Sequence, residues 1–233
     1  MNNTLLDYME KRLHPGKQDG DLKKIGTAPV ITISRQYGCP AKKVAGKLVL
    51  ALNKVLLASE KREAWTWIGK EILEESAKSL KIHTNDVKEA VAKDGNLIND
   101  ILQSFTQKYY PTEVRIKKTI ADVIRLNAEK GNIVVVGRAA AAICRDIPNS
   151  LHIRLVAPKD WRIHYVSKEY QLSLDDSLKR IDDIDKKRDI LLQYYLGKKY
   201  DETLFDIVFN YMTCTEDEIV EAVIKVLQTR DMM

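Results

Sequence analysis

The chain has 233 residues, 45% of them apolar, and a formal net charge of +5 at pH 7. This length supports one domain with a sizeable core, or one domain with a lid. No apolar run approaches the roughly 18 residues of a membrane span. The modest basic excess favours anionic ligands, and no RNA-binding motif or run of stacking aromatic residues accompanies it, so we expect neither a membrane nor a nucleic-acid partner.

The cysteine pattern bears on location and on metal binding. Cys39, Cys144 and Cys214 are odd in number and widely spaced, which is typical of a reduced, cytoplasmic protein rather than of a disulfide framework. The four histidines share no metal-ligand spacing with these cysteines, so no side-chain metal site is predicted. The first ten residues lack the basic and apolar regions of a signal peptide.

The first 28 residues are predicted to be an N-terminal arm or linker, with a short amphipathic helix over residues 4–13. Gly and Pro are frequent in the stretch that follows, as in irregular loops. A surface arm is the plain interpretation, and a lid or dimer clasp is the alternative. A single domain is predicted over residues 29–231.

A strand, a sharp turn and a helix follow the arm. Residues 30–34 are rich in β-branched side chains, which is typical of a buried strand. Gly38 and Pro40 mark the turn, and apolar residues recur at helical spacing from Val44 to Val55. This order of elements directs backbone N–H groups and a helix N-terminus toward one point, which suits a phosphate.

The turn departs from the nucleotide-binding consensus of Gly, four residues and Gly-Lys-Ser/Thr. Pro40 and Ala41 occupy the places of the last Gly and the Lys, and positive charge follows at Lys42 and Lys43. Arg35 precedes the turn. From these residues alone, a nucleotide site and a tight turn with surface lysines are both open.

The middle of the chain alternates between the two kinds of element. Residues 64–68 are predicted to be a second strand, and residues 85–110 are polar and helical in tendency. Thr112 can cap the next helix, which Gly131 ends.

Residues 132–136 form the clearest buried strand, because they are continuously apolar and β-branched. Ligands collect at the carboxyl ends of strands in open α/β sheets, and the planar, charged fork of an arginine matches a phosphate. Arg138 follows this strand and is a candidate ligand residue, with a structural ion pair as the alternative. Arg145 is a second candidate, and a pair with Asp146 or a surface position is its alternative.

The last third of the chain supplies two more strands, predicted over residues 150–156 and 204–210. Pro158 suits the start of a helix, and we expect Arg162 to decorate the surface of that helix. Thr215 begins a capping-box pattern before the final helix.

Residues 173–197 form a long helix that begins after a capping serine and ends in glycine. Arg180, Lys186 and Arg188 lie there among several aspartates. Alternating charge is typical of a solvated, salt-bridged helix. The alternative is a lid, because phosphoryl transfer needs cations that neutralise the phosphoryl oxygens.

Three ordered motifs resemble the cytidylate-kinase-like family, a branch of the P-loop nucleoside-monophosphate kinases. They are ITISRQYG, VVVGRAAAAICRDIPNSLHIRLVAP and RIDDIDKKRDILLQYYLG. The resemblance implies strand order 2-3-1-4-5 in a three-layer α/β/α fold, a class that the alternation of strands and helices also predicts. It further implies an acceptor-binding helical insertion at residues 85–112 and a lid at residues 173–197.

The activity implied by the resemblance is transfer of the ATP γ-phosphoryl group to CMP, dCMP or a related small acceptor, with Mg²⁺ bridging the donor phosphates. The implied ATP-binding residues are Arg35, Gln36, Tyr37, Gly38, Lys42 and Lys43. The implied acceptor-binding residues are Arg138 and Arg145. The implied catalytic cations are Lys186, Arg188 and Arg180.

Two departures from the family pattern leave an alternative open. Pro40 stands where the family usually has Gly, and Pro has no N–H to offer a phosphate. Gly69 stands where the family commonly has Asp. A catalytically degenerate nucleotide-binding protein of the same fold is therefore the second hypothesis, and the acceptor and the oligomeric state stay open.

Overall fold

The computed structural model describes residues 28–57, 64–69 and 111–233. Within these ranges the strands are β1 Val30–Arg35, β2 Thr66–Ile68, β3 Ile133–Val136, β4 Ser150–Val156 and β5 Ile207–Asn210. The helices are α1 Ala41–Leu57, α2 Pro111–Lys130, α3 Ala140–Ile143, α4 Lys159–Tyr170, α5 Leu174–Leu196 and α6 Glu216–Thr229. A 3₁₀ turn, Glu202–Leu204, precedes β5.

The described strands form one sheet in the order β2-β3-β1-β4-β5, and all neighbours are parallel. The predicted fold class and strand order are confirmed. β1 lies at the centre, where Val30 is aligned with Ile133 on one side and with Ser150 on the other. The first four residues of β1 are buried, as expected for a parallel strand that helices cover on both faces.

Alternate side chains of β1 pack into the apolar layers on opposite faces of the sheet. Ile31 and Ile33 belong to the layer that packs against α1 and α6. Val30 belongs to the opposite layer, with Ile124 of α2 and Ile143 of α3. Thr32 is the one polar residue among the buried positions of β1, and its hydroxyl lies 2.7 Å from Nδ1 of His152, because a buried polar group needs a hydrogen-bond partner.

Several predicted helix ends are confirmed by their hydrogen bonds. The Ser173 hydroxyl accepts from the N–H of Asp176 at the start of α5, and Gly197 ends that helix at φ 69°. At α6 the Thr215 and Glu218 side chains form the reciprocal capping box. These ends are set by local sequence, because each cap satisfies groups within one helical turn.

Three predicted element starts differ from the structure by two residues or more. β5 begins at Ile207 and not at 204, because the backbone before it forms the 3₁₀ turn. β2 begins at Thr66 rather than at 64. α2 begins at Pro111, so Thr112 lies inside the helix rather than capping it; Pro suits a first helical position, where no N–H partner exists.

Two predicted segments lie outside the described residues: the arm at 1–28, apart from Ala28, and the insertion at 85–112, apart from its last two positions. The domain boundaries and the lid function of 173–197 stay predictions. No helix of the described ranges combines the length and apolar character that a membrane crossing needs.

Candidate functional site

The carboxyl ends of β1 and β3 form the floor of the candidate site. Arg35 ends β1, and its guanidinium lies across Gly137, which follows β3. A Cβ atom added at Gly137 would lie 1.7 Å from Nη1 of Arg35. The absence of a side chain at Gly137 therefore lets the arginine extend over the end of the neighbouring strand.

The backbone after β3 turns sharply toward α3. Gly137, Arg138 and Ala139 all have left-handed conformations, with φ of 76°, 58° and 56°. Two successive non-glycine residues in this region are uncommon, and such backbones cluster at functional sites. The turn leaves Arg138 half-buried beside Arg35 rather than in open solvent.

A third arginine reaches the site from α5. Arg188 donates from Nη1 to the backbone oxygen of Arg35 at 3.0 Å. Burial, assisted by the charge of Arg188, lowers the pKa of Arg138 to about 10. The pKa of Arg35 lies well below its usual value because of burial, with smaller contributions from Arg188 and Arg138.

Burial also lowers the pKa of Arg188, and the charge of Asp185 opposes that shift, so Arg35, Arg138 and Arg188 are three partly desolvated like charges. We call them the arginine cluster. Partly buried like charges are unfavourable unless an anion offsets them. The arginine cluster therefore has the electrostatic character of an anion-binding site.

The arginine cluster lines a pocket with an empty volume of about 430 Å³, which includes the open solvent at its mouth. The other residues that line this pocket are Ser34, Gly137, Ala139, Arg154, Asp189, Leu191, Leu192, Tyr200 and Phe205. The sequence-based prediction did not single out Arg154, Asp189 or Tyr200. Arg154 carried one signal that could have found it, because it is a charged residue inside a strand.

Three backbone N–H groups of the turn after β1 already donate hydrogen bonds within the protein. The N–H of Tyr37 donates to Oδ1 of Asp185 at 2.7 Å, and the N–H of Cys39 donates to the oxygen of Gln36 at 3.2 Å. The N–H of Ala41 donates to the oxygen of Cys39 at 2.9 Å. In this conformation the three N–H groups all have partners, two within the turn and one on α5.

Arg162 joins the turn to α5, and our expectation that it decorates the surface is wrong. Its side chain is 6% exposed. Nε donates to the oxygen of Ala157 at 3.1 Å, and Nη1 donates to the oxygen of Tyr37 at 3.1 Å. Nη1 also lies 2.6 Å from Oδ2 of Asp185. Helical spacing could have found this residue, because it lies four positions before buried Val166 on the same face.

Asp185 is the point where the turn, α4 and α5 meet. One carboxylate oxygen accepts from Tyr37 and lies 3.6 Å from Nη1 of Arg188, and the other is paired with Arg162. These contacts hold α5 over the carboxyl edge of the sheet. They also place a carboxylate of the chain itself against the turn that was predicted to hold a phosphate.

Aromatic rings connect Arg180 to this edge. The rings of Tyr37 and Tyr170 are stacked with centroids 6.2 Å apart. The Arg180 guanidinium lies 5.7 Å from the first centroid and 4.8 Å from the second, and Arg188 lies 5.5 Å from Tyr37. Cations over aromatic faces are attracted to them, so Arg180 is held near the turn without lining the pocket.

The predicted residues of the turn itself have structural contacts. Oε1 of Gln36 accepts from the N–H of Ala157 at 3.0 Å. Gly38 has φ 97°, and a Cβ there would approach Cβ of Arg162 to 3.1 Å. Lys42 and Lys43 are exposed on the first turn of α1. Their predicted roles in ATP binding remain predictions.

Two further predicted residues lie apart from the pocket. Lys186 is exposed on α5, and the neighbouring Lys187 is the buried lysine of this pair. Arg145 is exposed after α3, and Arg125 rather than Arg145 makes the bidentate contact with Asp146. Neither residue lines the pocket in this conformation, and both roles stay predictions.

A profile described as the cytidylate kinase-like family matches residues 30–213. The chain belongs to the cytidylate kinase-like family. The resemblance inferred from the three motifs is thus confirmed. Every residue that lines the pocket lies inside the matched span, so the arginine cluster is part of the family domain.

Solved structures are similar in fold. An uncharacterized protein from Eubacterium ventriosum ATCC 27560 is 22% identical, with a TM-score of 0.61 over 86% of this chain and 98% of that one. Shikimate kinase from Acinetobacter baumannii in complex with shikimate is 10% identical, with a TM-score of 0.50 over 89% and 97%. Shikimate kinase from Bacteroides thetaiotaomicron is 11% identical, with a TM-score of 0.49 over 86% and 98%.

These identities are too low to show more than the fold, which is that of P-loop kinases. No curated protein sequence matches the chain significantly.

Proposed function

We propose that this protein is an ATP-dependent kinase that transfers the γ-phosphoryl group to a nucleoside monophosphate, with CMP and dCMP as the first acceptors to test. Membership of the cytidylate kinase-like family supports the proposal. The single observation that carries it is the arginine cluster, in which β1, the end of β3 and α5 each contribute one cation to the same pocket.

The chemistry of phosphoryl transfer fits such a cluster. Catalysis comes mainly from alignment of the two substrates and from neutralising charge on the transferring oxygens, and it needs no strong protein base for a phosphate acceptor. In the proposal Arg138 holds the acceptor phosphate. Arg188 and Arg35 stabilise charge on the transferring group, and Arg180 and Lys186 approach when substrates bind.

The donor side of the proposal uses the start of α1. A helix N-terminus favours an anion, and exposed Lys42 and Lys43 can reach donor phosphates from the first turn. Among the described residues no group of three or more potential metal-ligating side chains occurs. In the proposal the phosphates of ATP supply much of the Mg²⁺ coordination, as is common in kinases.

A degenerate nucleotide-binding protein is the second candidate, and a specific observation favours it. The N–H groups of Tyr37, Cys39 and Ala41 are already bonded within the protein, and Pro40 has none. A turn in this state offers a phosphate fewer donors than an open one. The two candidates differ in whether ATP binding opens the turn.

Calorimetric titration of ATP–Mg²⁺ and then of CMP, followed by an ADP-release assay, separates these candidates. The proposal expects binding of both ligands and turnover that depends on CMP. Binding without turnover supports the degenerate protein, and absence of binding contradicts both candidates.

Two variants give the titration its controls. Arg138→Ala should weaken CMP binding by about tenfold or more, since a charge-assisted hydrogen bond is lost. Lys225→Ala removes an exposed charge on α6, remote from the pocket, and should leave the affinity unchanged. Equal CMP affinity of Arg138→Ala and the unaltered protein would contradict the assigned role.

A further inference from the structure

Arg154 lines the pocket from β4, where it is aligned with Ser34 of β1. Its guanidinium lies 5.2 Å from the ring centroid of Tyr200 and 5.0 Å from that of Phe205. Nη1 donates to the Tyr200 hydroxyl at 2.9 Å. The side chain is 12% exposed, and Nη1 also lies 3.7 Å from Oε1 of Glu202, so packing and these polar contacts orient it.

Hydrogen bonds run from Arg154 to Tyr200 and from Tyr200 to Asp189, and the donor in each is fixed by which group carries a proton. A guanidinium can only donate, so the Tyr200 oxygen accepts from it. The single hydroxyl proton of Tyr200 is then directed to Oδ1 of Asp189, 2.7 Å away. Arg154 and Tyr200 thus orient the Asp189 carboxylate.

The Asp189 carboxylate keeps unused accepting capacity. It lines the same pocket as the arginine cluster, but within the described ranges no lysine or arginine nitrogen forms a salt bridge with it. A carboxylate has about four accepting positions, and Tyr200 fills one. An oriented carboxylate without a cationic partner accepts neutral donors and repels anions.

The pocket therefore presents two different chemistries, cations at the arginine cluster and a hydrogen-bond acceptor at Asp189. We propose that Asp189 is a specificity-determining residue, which accepts a hydrogen bond from a hydroxyl or amino group of the phosphorylated acceptor. Tyr200 and Arg154 are its positioning residues. This inference rests on the proposed function, because it assumes that Arg138 of the arginine cluster binds the acceptor phosphate.

The test compares a ligand that carries a donor group with one that has only the anion. CMP, ribose 5-phosphate and inorganic phosphate are titrated into the unaltered protein, Asp189→Asn and Asp182→Asn. Asp182 is an exposed aspartate on the same helix, paired with Lys159 and absent from the pocket lining. It is the matched control for loss of one negative charge.

Asp189→Asn should weaken CMP binding by about tenfold, as expected for loss of a hydrogen bond to a charged group. Its affinity for inorganic phosphate should stay equal or rise, because a negative charge has left the pocket. Asp182→Asn should change neither. Ribose 5-phosphate identifies the donor: a tenfold loss there places it on the sugar, and a loss confined to CMP places it on the base.

Tyr200→Phe checks the positioning role, since it keeps the ring over Arg154 and removes the hydroxyl. The ratio of CMP to phosphate affinity should fall as in Asp189→Asn, by a smaller factor. A purely structural role would lower the melting temperature and leave this ratio unchanged.

Equal CMP affinity in Asp189→Asn and the unaltered protein would overturn the inference and leave the proposed function intact. Failure of the unaltered protein to bind CMP would overturn both.

Discussion

Nη1 of Arg188 lies 3.0 Å from the backbone oxygen of Arg35, a residue 153 positions earlier in the chain. This hydrogen bond joins α5 to the last residue of the central strand. It also brings the two guanidinium groups close together. The pKa of Arg35 is lowered first by burial and second by the charge of Arg188. The position of the Arg188 charge in the pocket therefore depends on the packing of α5 against the sheet.

Replacing Arg188 tests this dependence. Arg188→Ala should lower kcat/KM by about a hundredfold or more, the range found when one charge-stabilising donor is removed from an active site. Arg188→Lys keeps the charge but loses the planar fork, so it should recover only part of the loss. Steady-state kinetics and thermal melting on the same samples separate a catalytic loss from unfolding. Full activity of Arg188→Ala would contradict the assigned role.

Gly137 and Gly46 give a matched pair of glycine-to-alanine changes. At Gly137 a Cβ meets Nη1 of Arg35, and φ is 76°. Gly137→Ala should cost about 1–2 kcal/mol for the left-handed backbone and should displace Arg35, so phosphate affinity falls as well.

Gly46 lies inside α1, and a Cβ atom added there would have no neighbouring atom within 4 Å. Gly46→Ala should stabilise the fold by up to about 1 kcal/mol, because Ala is the better helix former. Chemical denaturation and phosphate titration of both variants check the contrast. An unchanged phosphate affinity in Gly137→Ala would show that Arg35 does not need this position.

Asp185→Asn should destabilise the fold strongly. Arg162 is 6% exposed, and its partner in the ion pair is Asp185 at 2.6 Å. Removing one member of a buried pair leaves an uncompensated charge, which costs about 3 kcal/mol or more. Asp182→Asn breaks an exposed pair with Lys159 and should change stability by less than about 1 kcal/mol. Urea unfolding of both variants measures the difference; equal effects would show that the Arg162 pair is not a structural tie.

His152 predicts a loss of stability in mild acid. Its ring nitrogens contact the hydroxyls of Thr32 and Ser150 at 2.7 and 3.2 Å. Burial lowers its pKa below the usual 6.5, and the charge of Asp206 opposes the shift. The folded state then binds fewer protons than the unfolded state, so the contribution of His152 is lost as pH falls below about 6.5 toward the folded pKa.

Urea unfolding between pH 8 and pH 5 checks this sign. The free energy of unfolding should fall more steeply with acid in the unaltered protein than in His152→Gln, which cannot titrate there. His164→Gln removes an exposed histidine on α4 and serves as the control. Parallel pH profiles of the unaltered protein and His152→Gln would contradict the prediction.

Local patterns predicted most of the fold. The β-branched runs predicted β1 and β3, and the caps at Ser173 and Thr215 were predicted because their partners lie within one turn. The start of β5 was misplaced, since Phe205 and its neighbours have strand-like side chains but follow a 3₁₀ turn. Sequence pattern indicates which residues are apolar, and the path of the backbone between elements is set by packing.

The site was harder to predict than the fold. Arg138 and Arg188 were singled out from a strand end and a family motif, and both lie in the pocket. Arg162 was missed because its partners, Tyr37 and Asp185, are 125 and 23 positions away. No spacing rule along the sequence links such residues, and only the assembled sheet brings them together.

Because β1 lies at the centre of the sheet, it is synthesised long before the two strands with which it pairs. Val30 is aligned with Ile133 and Ser150, so both partner strands follow more than a hundred residues later. At typical translation rates of about 5–20 residues per second, the central strand is synthesised roughly 5 to 20 s before either neighbour. Until then both edges of the central strand have unpaired backbone N–H and C=O groups, which can pair with other chains.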